Sequence, residues 1–358
     1  MLKLATTFSG IGAIEHALKR LGIDNKIIFA SDNDKYVKET YFENHDINEN
    51  RWIDLVQDID GKKYKNKIDL LVGGSPCQSF SMVGKRAGFK DPRGNLFFEF
   101  ARIIDEAKPK AFIFENVKGL LSHDSGKTWK TITETFDKLG YNYYPKILNA
   151  KDYGIPQHRE RLFVVGFRDK RKKFDFPDVL DLKIILQDLL EDNPDSKYFL
   201  GDKGKKFVSS EKNLKKRYTQ INGKIALCQK RNQQFNWHGD FICVPSGKVD
   251  KKYFLSKKTT KYVMSTGTKN FYSKPKINLN IARPLLATMA KMHRAGVDNY
   301  ISRGDEIRKL TPRECLRLMG FDDTFKIIVS DTQAYKQAGN SIVVNVLMAI
   351  IKNMKLEK

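Results

Sequence analysis

Ile68-Asp69-Leu70-Leu71-Val72-Gly73-Gly74-Ser75-Pro76-Cys77-Gln78-Ser79-Phe80-Ser81 is the stretch on which the reading of this chain turns. Its opening is a short apolar run, the pattern of a buried strand in a parallel sheet. Two glycines open a loop, and Pro76 stiffens it by fixing its own φ and pushing Ser75 towards extended backbone. Cys77 therefore stands on an aimed loop at a strand's C-terminal end, where open α/β sheets bind their ligands. Most unpaired cysteines are small packed hydrophobes. A thiol whose pKa is lowered is instead a strong nucleophile, and the surrounding sequence favours that role.

Outward from this loop, residues 1–170 alternate apolar runs with helical patterns, the mark of βαβ units and a parallel sheet. Strands are expected at 2–8, 26–31, 68–72, 110–114, 146–150 and 161–167. Between the first two, Ile14, Ala17, Leu18 and Leu21 share one helical face and Gly22 suits a C-cap. From about 170 to 285 the periodicity fades, lysine rises and turn residues recur, which predicts a smaller unit of irregular and β structure. Residues 311–323 and 333–354 return to helical patterns. The stripe Ile342, Val343, Val346, Leu347, Ile350 and Ile351 should pack back on the first unit. The chain thus divides into 1–180, 181–305 and 306–358.

Charge separates these units. The net charge is +23 over 358 residues, and residues 201–280 hold nineteen Lys or Arg against four Asp or Glu. That density implies a polyanionic partner. Aromatic residues interleave it (Tyr218, Phe235, Trp237, Tyr253, Tyr262, Phe271, Tyr272), which favours nucleic acid over a solubilising surface. The four cysteines (Cys77, Cys228, Cys243, Cys315) lie far apart with no Cys-x-x-Cys pair. This argues against a disulfide framework or zinc site and for a reducing, cytoplasmic setting. No metal is expected from six scattered histidines. No apolar run is long enough for a membrane span, and the first residues lack the apolar core of a signal peptide.

Phe8-Ser9-Gly10-Ile11-Gly12 stands between the first strand and the first helix, where glycines let backbone approach a ligand. A dinucleotide fingerprint would place a small residue at position 15; Glu15 is there instead and disfavours a pyrophosphate. Asp32 ends the second strand, twenty residues past Gly12, a spacing that suits an acid accepting hydrogen bonds from ribose hydroxyls. An adenosine cofactor without a diphosphate fits this pattern, and S-adenosylmethionine is such a molecule.

With these pieces in place, the chain resembles the DNA cytosine-5 methyltransferases of bacterial restriction–modification systems, most closely the compact HhaI type. Besides the segments above, the match rests on Asp58-Ile59, Asp91-Pro92-Arg93-Gly94-Asn95-Leu96-Phe97-Phe98, Glu115-Asn116-Val117 and Gln157-His158-Arg159-Glu160-Arg161. It continues through Arg283-Pro284-Leu285-Leu286-Ala287-Thr288, Arg313-Glu314-Cys315 with Met319-Gly320, and Gln337-Ala338-Gly339-Asn340-Ser341. Each motif is weak alone; their order and spacing carry the resemblance over nearly the whole chain except 180–280.

The resemblance implies an α/β fold: a Rossmann-like S-adenosylmethionine-dependent methyltransferase domain (1–180), a smaller irregular and β target-recognition domain (181–305), and a hinge with a returning C-terminal helix (306–358). It implies that Cys77 attacks C6 of a flipped cytosine, that Glu115 protonates or hydrogen-bonds ring N3, and that Arg159 and Arg161 hold the base and its phosphate. For the cofactor it implies Phe8, Gly10, Ile11 and Gly12 near the methionine portion, Asp32 on the ribose and Asp58-Ile59 at the adenine. Pro76, Leu96, Asn340 and Ser341 would line the rest. Asn33 departs from the bulky residue often found beside the adenine in the family. The segment 81–94 resembles a lid hinged at Gly84, Gly88 and Gly94, with Ser81, Lys85, Arg86, Arg93 and, further on, Thr288 meeting DNA. Double-stranded DNA is the implied partner of a monomer that shares its site, without a stable complex, with a cognate restriction endonuclease. Two other readings are a tRNA-directed cytosine-5 methyltransferase, whose Cys-Phe-Thr signature is absent, and a non-catalytic DNA-binding regulator on the same scaffold. Base readout would fall between 185 and 285, with Arg231, Asn232, Gln233, Gln234 and Asn236 of suitable chemistry.

Overall fold

A computed structural model describes residues 1–75, 96–192, 194–231, 237–244, 267–268, 271–272 and 306–356. At its centre is a seven-stranded sheet of β1 (Leu2–Thr7), β2 (Asn25–Ser31), β3 (Trp52–Ile53), β4 (Leu70–Gly73), β5 (Ala111–Val117), β6 (Asn142–Asn149) and β7 (Glu160–Phe167), in the order β3-β2-β1-β4-β5-β7-β6. Neighbours from β3 to β5 pair in parallel, and β7 runs antiparallel between β5 and β6. The chain leaves β1 towards β2 and β3, then crosses back to set β4 on the other side of β1. The connections leaving the carboxyl ends of β1 and β4 therefore run in opposite directions and leave a crevice, the ligand-binding position of open α/β sheets.

Six of the seven strands overlap the expected apolar runs, because a sheet covered on both faces needs apolar residues at successive positions; β6 begins at Asn142 rather than 146, and the two-residue β3 was not expected. Along β5, Phe112 and Phe114 face one layer and Ala111 and Ile113 the other, all fully buried. The first layer is aromatic. Helices α2 (Leu96–Ala107) and α3 (Lys127–Leu139) bring Phe97, Phe100 and Phe136 onto Phe112 and Phe114. Ring centroids there are 5.1–6.1 Å apart, mostly edge-on or tilted, as the ring quadrupoles prefer. In the second layer, α1 (Ala13–Arg20) lays Ala13, Ile14, Ala17 and Leu18 against Val344, Leu347 and Ile351 of the C-terminal helix. The returning helix thus closes the first unit, as its stripe predicts.

The segment expected as one helix at 333–354 is two. A helix over Asp331–Asn340 ends where Ser341 is extended, and a second runs over Val344–Met354. The helix expected at 311–323 is shorter, Pro312–Arg317, because Gly320 is left-handed (φ 84). Thr311 and Glu314 close it with a reciprocal capping box.

A three-stranded sheet lies beyond β7: β8 (Thr219–Ile221), β9 (Gly239–Val244) and Glu306–Lys309, with β9 in the middle. A two-residue pair, Gly267–Thr268 with Phe271–Tyr272, is also formed. Glu306–Lys309, assigned from sequence to the returning segment, instead pairs with β9. Its one apolar residue gives no period to read. The two sheets meet where Ala226 bridges to Gln157 and donates its N–H to Pro156 O at 2.6 Å.

Candidate active site

The loop after β1 turns sharply. Phe8, Gly10 and Gly12 all have positive φ (52, 55 and 79°). At Gly12 glycine is required for room as well, since a Cβ would fall 2.1 Å from His45 Nε2. Burial holds the His45 ring neutral, its pKa down at about 4, and its Nε2–H donates to Ile11 O at 3.0 Å. Ser9 stitches the loop to β2 by accepting from Ser31 N and donating to Ser31 O. Asp32 completes it: Oδ2 accepts from Gly10 N at 3.0 Å and Oδ1 from Asp34 N at 3.1 Å, while burial raises its pKa.

Across a cleft from this loop stand Val72 and Gly73 of β4 with Gly74 just after it, and Asn340, Ser341 and Ile342 form a third wall. The break between the two C-terminal helices is what presents Asn340 and Ser341 there. A Cβ on Gly73 would lie 2.3 Å from Thr7 Oγ1, so the strands meet without an intervening side chain. Two buried hydroxyls, Thr7 Oγ1 on the cleft wall and Ser75 Oγ on the loop after Gly74, have no hydrogen-bond partner. Buried polar groups are normally satisfied. Glycine-lined backbone, an acid at the second strand's end and the orphaned Thr7 hydroxyl fit an adenosine-bearing ligand in this cleft.

Phe8, Gly10, Asn340 and Ser341, expected from sequence near the cofactor, line the cleft, and Asp32 and Gly12 shape its loop. Other expected contacts sit differently. The Ile11 and Ile59 side chains are buried in the two core layers, and Leu96 packs on the aromatic one. Asn33 and Asp58 are exposed. Apolar side chains adjoining a ligand loop are claimed by the core first, so Ile11 presents its carbonyl to His45, and Ile59 presents its own to Arg102 Nη1. Pro76, Cys77, Ser81, Lys85, Arg86, Arg93 and Thr288 lie outside the described residues, as do Asn232, Gln233, Gln234 and Asn236.

Glu15, which disfavours a pyrophosphate by its position in the sequence, turns inwards. It is buried beneath the loop; Oε1 accepts from Tyr41 Oη at 2.5 Å and Thr6 Oγ1 at 3.3 Å, and burial raises its pKa to about 7. No local pattern in the sequence pairs residue 15 with Tyr41 on the next helix.

Glu115 lies near the end of β5. Its register partner on β7 is Phe163, and Arg161, two residues away, shares its face. Arg161 Nε approaches Glu115 Oε1 at 3.3 Å, and both side chains are largely buried. Burial raises the Glu115 pKa although Arg161 and, more weakly, Arg159 pull it down. Gly74 packs directly on this residue; a Cβ there would lie 3.0 Å from Glu115 O and 3.1 Å from Oε2. Asn116 Nδ2 donates to Ser75 O at 3.2 Å, fixing the loop that leads to Cys77 against β5. A carboxyl whose pKa is raised by burial keeps its proton to higher pH than a free one and can present it to an acceptor.

Arg159 and Arg161, expected to act alike on base and phosphate, are held differently. Arg159 is buried, and its terminal nitrogens are taken by main chain: Nη1 donates to Gln229 O at 3.0 Å, and Nη2 to Gly339 O at 3.0 Å and Ser341 O at 2.8 Å. Burial, with repulsion from Arg161, lowers its pKa to about 10, so it stays charged at neutral pH. Alternation along one strand would set residues 159 and 161 on one face, but Arg159 precedes β7, where its N–H is held by Gln157 O and Asn149 Oδ1, and only Arg161 lies in register beside Glu115. Cys228 Sγ lies 3.9 Å from both guanidinium groups, a neighbour the sequence does not reveal.

A family model of C-5 cytosine-specific DNA methylases matches residues 2–356. The chain is 33% identical over 355 residues to the type II methyltransferase M.HhaI of Haemophilus parahaemolyticus, covering 99% of this chain and 94% of that one. It is 32% identical over 431 aligned residues to the orphan methyltransferase M.SPRI of Bacillus phage SPR, covering 99% and 97%. Among solved structures, the Entamoeba histolytica methyltransferase EhMeth superposes with a TM-score of 0.69 at 18% identity, over 100% of this chain and 99% of that one. A crevice at the β1–β4 switch, a glutamate paired with arginine beside it and whole-length similarity agree: this chain belongs to the C-5 cytosine-specific DNA methylases.

Proposed function

We propose that the protein transfers a methyl group from S-adenosylmethionine to C5 of a cytosine within a short specific sequence of duplex DNA, through a covalent bond between Cys77 and C6. The observation that carries this reading is the buried Glu115–Arg161 pair, set one strand away from the loop that leads to Cys77. Glu115 gives a proton or a hydrogen bond to ring N3 as the Cys77 sulfur bonds to C6, so the electron pair released from the C5–C6 double bond is available at C5. Arg161 keeps the carboxyl oriented and meets the base edge. C5 takes the methyl group, with S-adenosylhomocysteine as the other product; the C5 proton passes to water as the C6–sulfur bond breaks to return the double bond and the thiolate, and N3 gives its proton back to Glu115. C6 is shielded inside a stacked duplex, so the cytosine must swing out to reach Cys77.

The cofactor supplies the methyl group when bound. Asp32 would accept from its ribose hydroxyls, backbone at Gly10 and Gly74 would let it approach, and Phe8, Asn340 and Ser341 would close around it. Residues 181–305 form the target-recognition unit in this reading, their lysines meeting phosphates. The type II relatives support a protective role beside an endonuclease that reads the same site; the protein acts as a monomer. The reading is tested by bisulfite sequencing of plasmid DNA incubated with protein and S-adenosylmethionine. Unconverted cytosines confined to one short motif, and none with Cys77→Ala, are expected. Full conversion everywhere, with the cofactor shown to bind, would move the substrate to RNA.

A further inference from the structure

We infer that Arg159 is a positioning residue that couples the cofactor cleft to the target-recognition segment, so that occupancy of one strengthens binding at the other. The inference rests on the cofactor reading above and extends it. One guanidinium holds backbone from both sides. Nη2 binds the carbonyls of Gly339 and Ser341, which flank Asn340 on the cleft wall, and Nη1 binds the carbonyl of Gln229 beyond β7. Among the described residues only its Nε has no partner, so a two-pronged grip on a phosphate would require Arg159 to release a carbonyl.

A second contact makes the juncture tight. A Cβ on Gly339 would lie 2.8 Å from Arg231 N and 2.9 Å from the carbonyl carbon of Lys230, so the segment rests directly on the cleft-wall backbone. Gln157, fully buried, repeats the arrangement with neutral groups: Oε1 accepts from Gln229 N at 3.0 Å, and Nε2 donates to Leu318 O at 2.8 Å. A buried cation with three carbonyl acceptors and no carboxylate in hydrogen-bond contact is costly unless all of them are in place. A shift of Ser341 towards a ligand is therefore resisted or favoured by the position of Gln229, and the reverse holds by linkage.

The test compares duplex DNA affinity with and without saturating S-adenosylhomocysteine, using sheared unmethylated genomic DNA. S-adenosylhomocysteine affinity is measured separately by calorimetry. Wild type should bind DNA about fivefold or more tightly with S-adenosylhomocysteine present, the lower end of ordinary coupling. Arg159→Met keeps the stem and removes the donors; its ratio should fall to near one. A purely structural role would weaken both affinities and leave their ratio unchanged. If Arg159→Met does not fold, Gly339→Ala, which pushes the two backbones apart with Arg159 intact, should lose the ratio in the same way. A ratio near one in wild type, or a wild-type ratio in the foldable variant, overturns the coupling. Failure of wild type to bind S-adenosylhomocysteine at all overturns the cofactor reading and the coupling together.

Discussion

The seven-stranded and three-stranded sheets are held by different balances of forces. In the seven-stranded sheet, Phe97, Phe112, Phe114 and Phe136 interlock without a polar atom among their side chains, and Gly166 on β7 is bare because Phe112 occupies the place of its Cβ, 2.1 Å from ring carbon. In the three-stranded sheet the organising side chains are polar. Asp240, buried, accepts from Leu227 N and Gln220 Nε2; Thr219 donates to Val208 O; Asn222 accepts from Cys243 N. Apolar packing gives a rigid frame on which a carboxyl and a guanidinium can be set to within tenths of an ångström. A lysine-rich unit has fewer apolar residues to spend; Phe241 and Ile242 of β9 are buried, and hydrogen bonds to main chain add to them. Chemistry should therefore be separable from stability in the first sheet, whereas the second should depend on a titrating group.

The largest effect is expected at Glu115. Glu115→Gln should lower kcat by about 10²–10⁴-fold, the range of a lost acid–base group, while thermal melting moves little because the frame is apolar. The raised pKa fixes the sign of the pH profile: the protonated form acts, so wild-type activity falls as pH rises through the Glu115 pKa, and the residual activity of the variant lacks that limb. A variant that loses fold and activity together would break the separation.

Next is the frame itself. Phe112→Ala removes a ring from the centre of the aromatic layer and should cost about 3–5 kcal/mol in denaturant unfolding. A loss below about 1 kcal/mol would mean that the layer collapses around the gap and is not the rigid element described above.

The smallest effect belongs to the small sheet. Burial raises the Asp240 pKa to about 7, from an ordinary 3.8, so the folded state holds a proton that the unfolded chain has released. The stability this confers is complete below the ordinary pKa and lost as pH rises through about 7. Asp240→Asn carries no such titration. Its melting temperature, relative to wild type, should rise by a few degrees between pH 5.5 and 8.5. Equal differences at both pH values would show that Asp240 is not a titrating anchor.

How much was legible follows the range of each interaction. Strand positions, the glycine loop, Asp32 and the stripe on the last helix could be read directly, because a burial pattern repeats every two or nearly four residues and turns demand particular residue types. The joint at Ser341 was not visible: Ile342 and Val343 continue the apolar stripe, and only packing on both sides interrupts the helix. Glu15 with Tyr41 was equally hidden, since it joins adjacent elements by a contact that leaves no period.

What the sequence determined by itself is therefore the family and the βαβ half of the sheet, because motif order and local periodicity record these. Which arginine serves the glutamate was decided only by tertiary structure. Arg159 and Arg161 are two residues apart in one motif and chemically identical, yet the entry into β7 buries one among the carbonyls of Gln229, Gly339 and Ser341 and sets the other against Glu115. Those partners lie seventy to one hundred and eighty-two residues from Arg159 along the chain, and only the closed fold brings them within reach of its guanidinium.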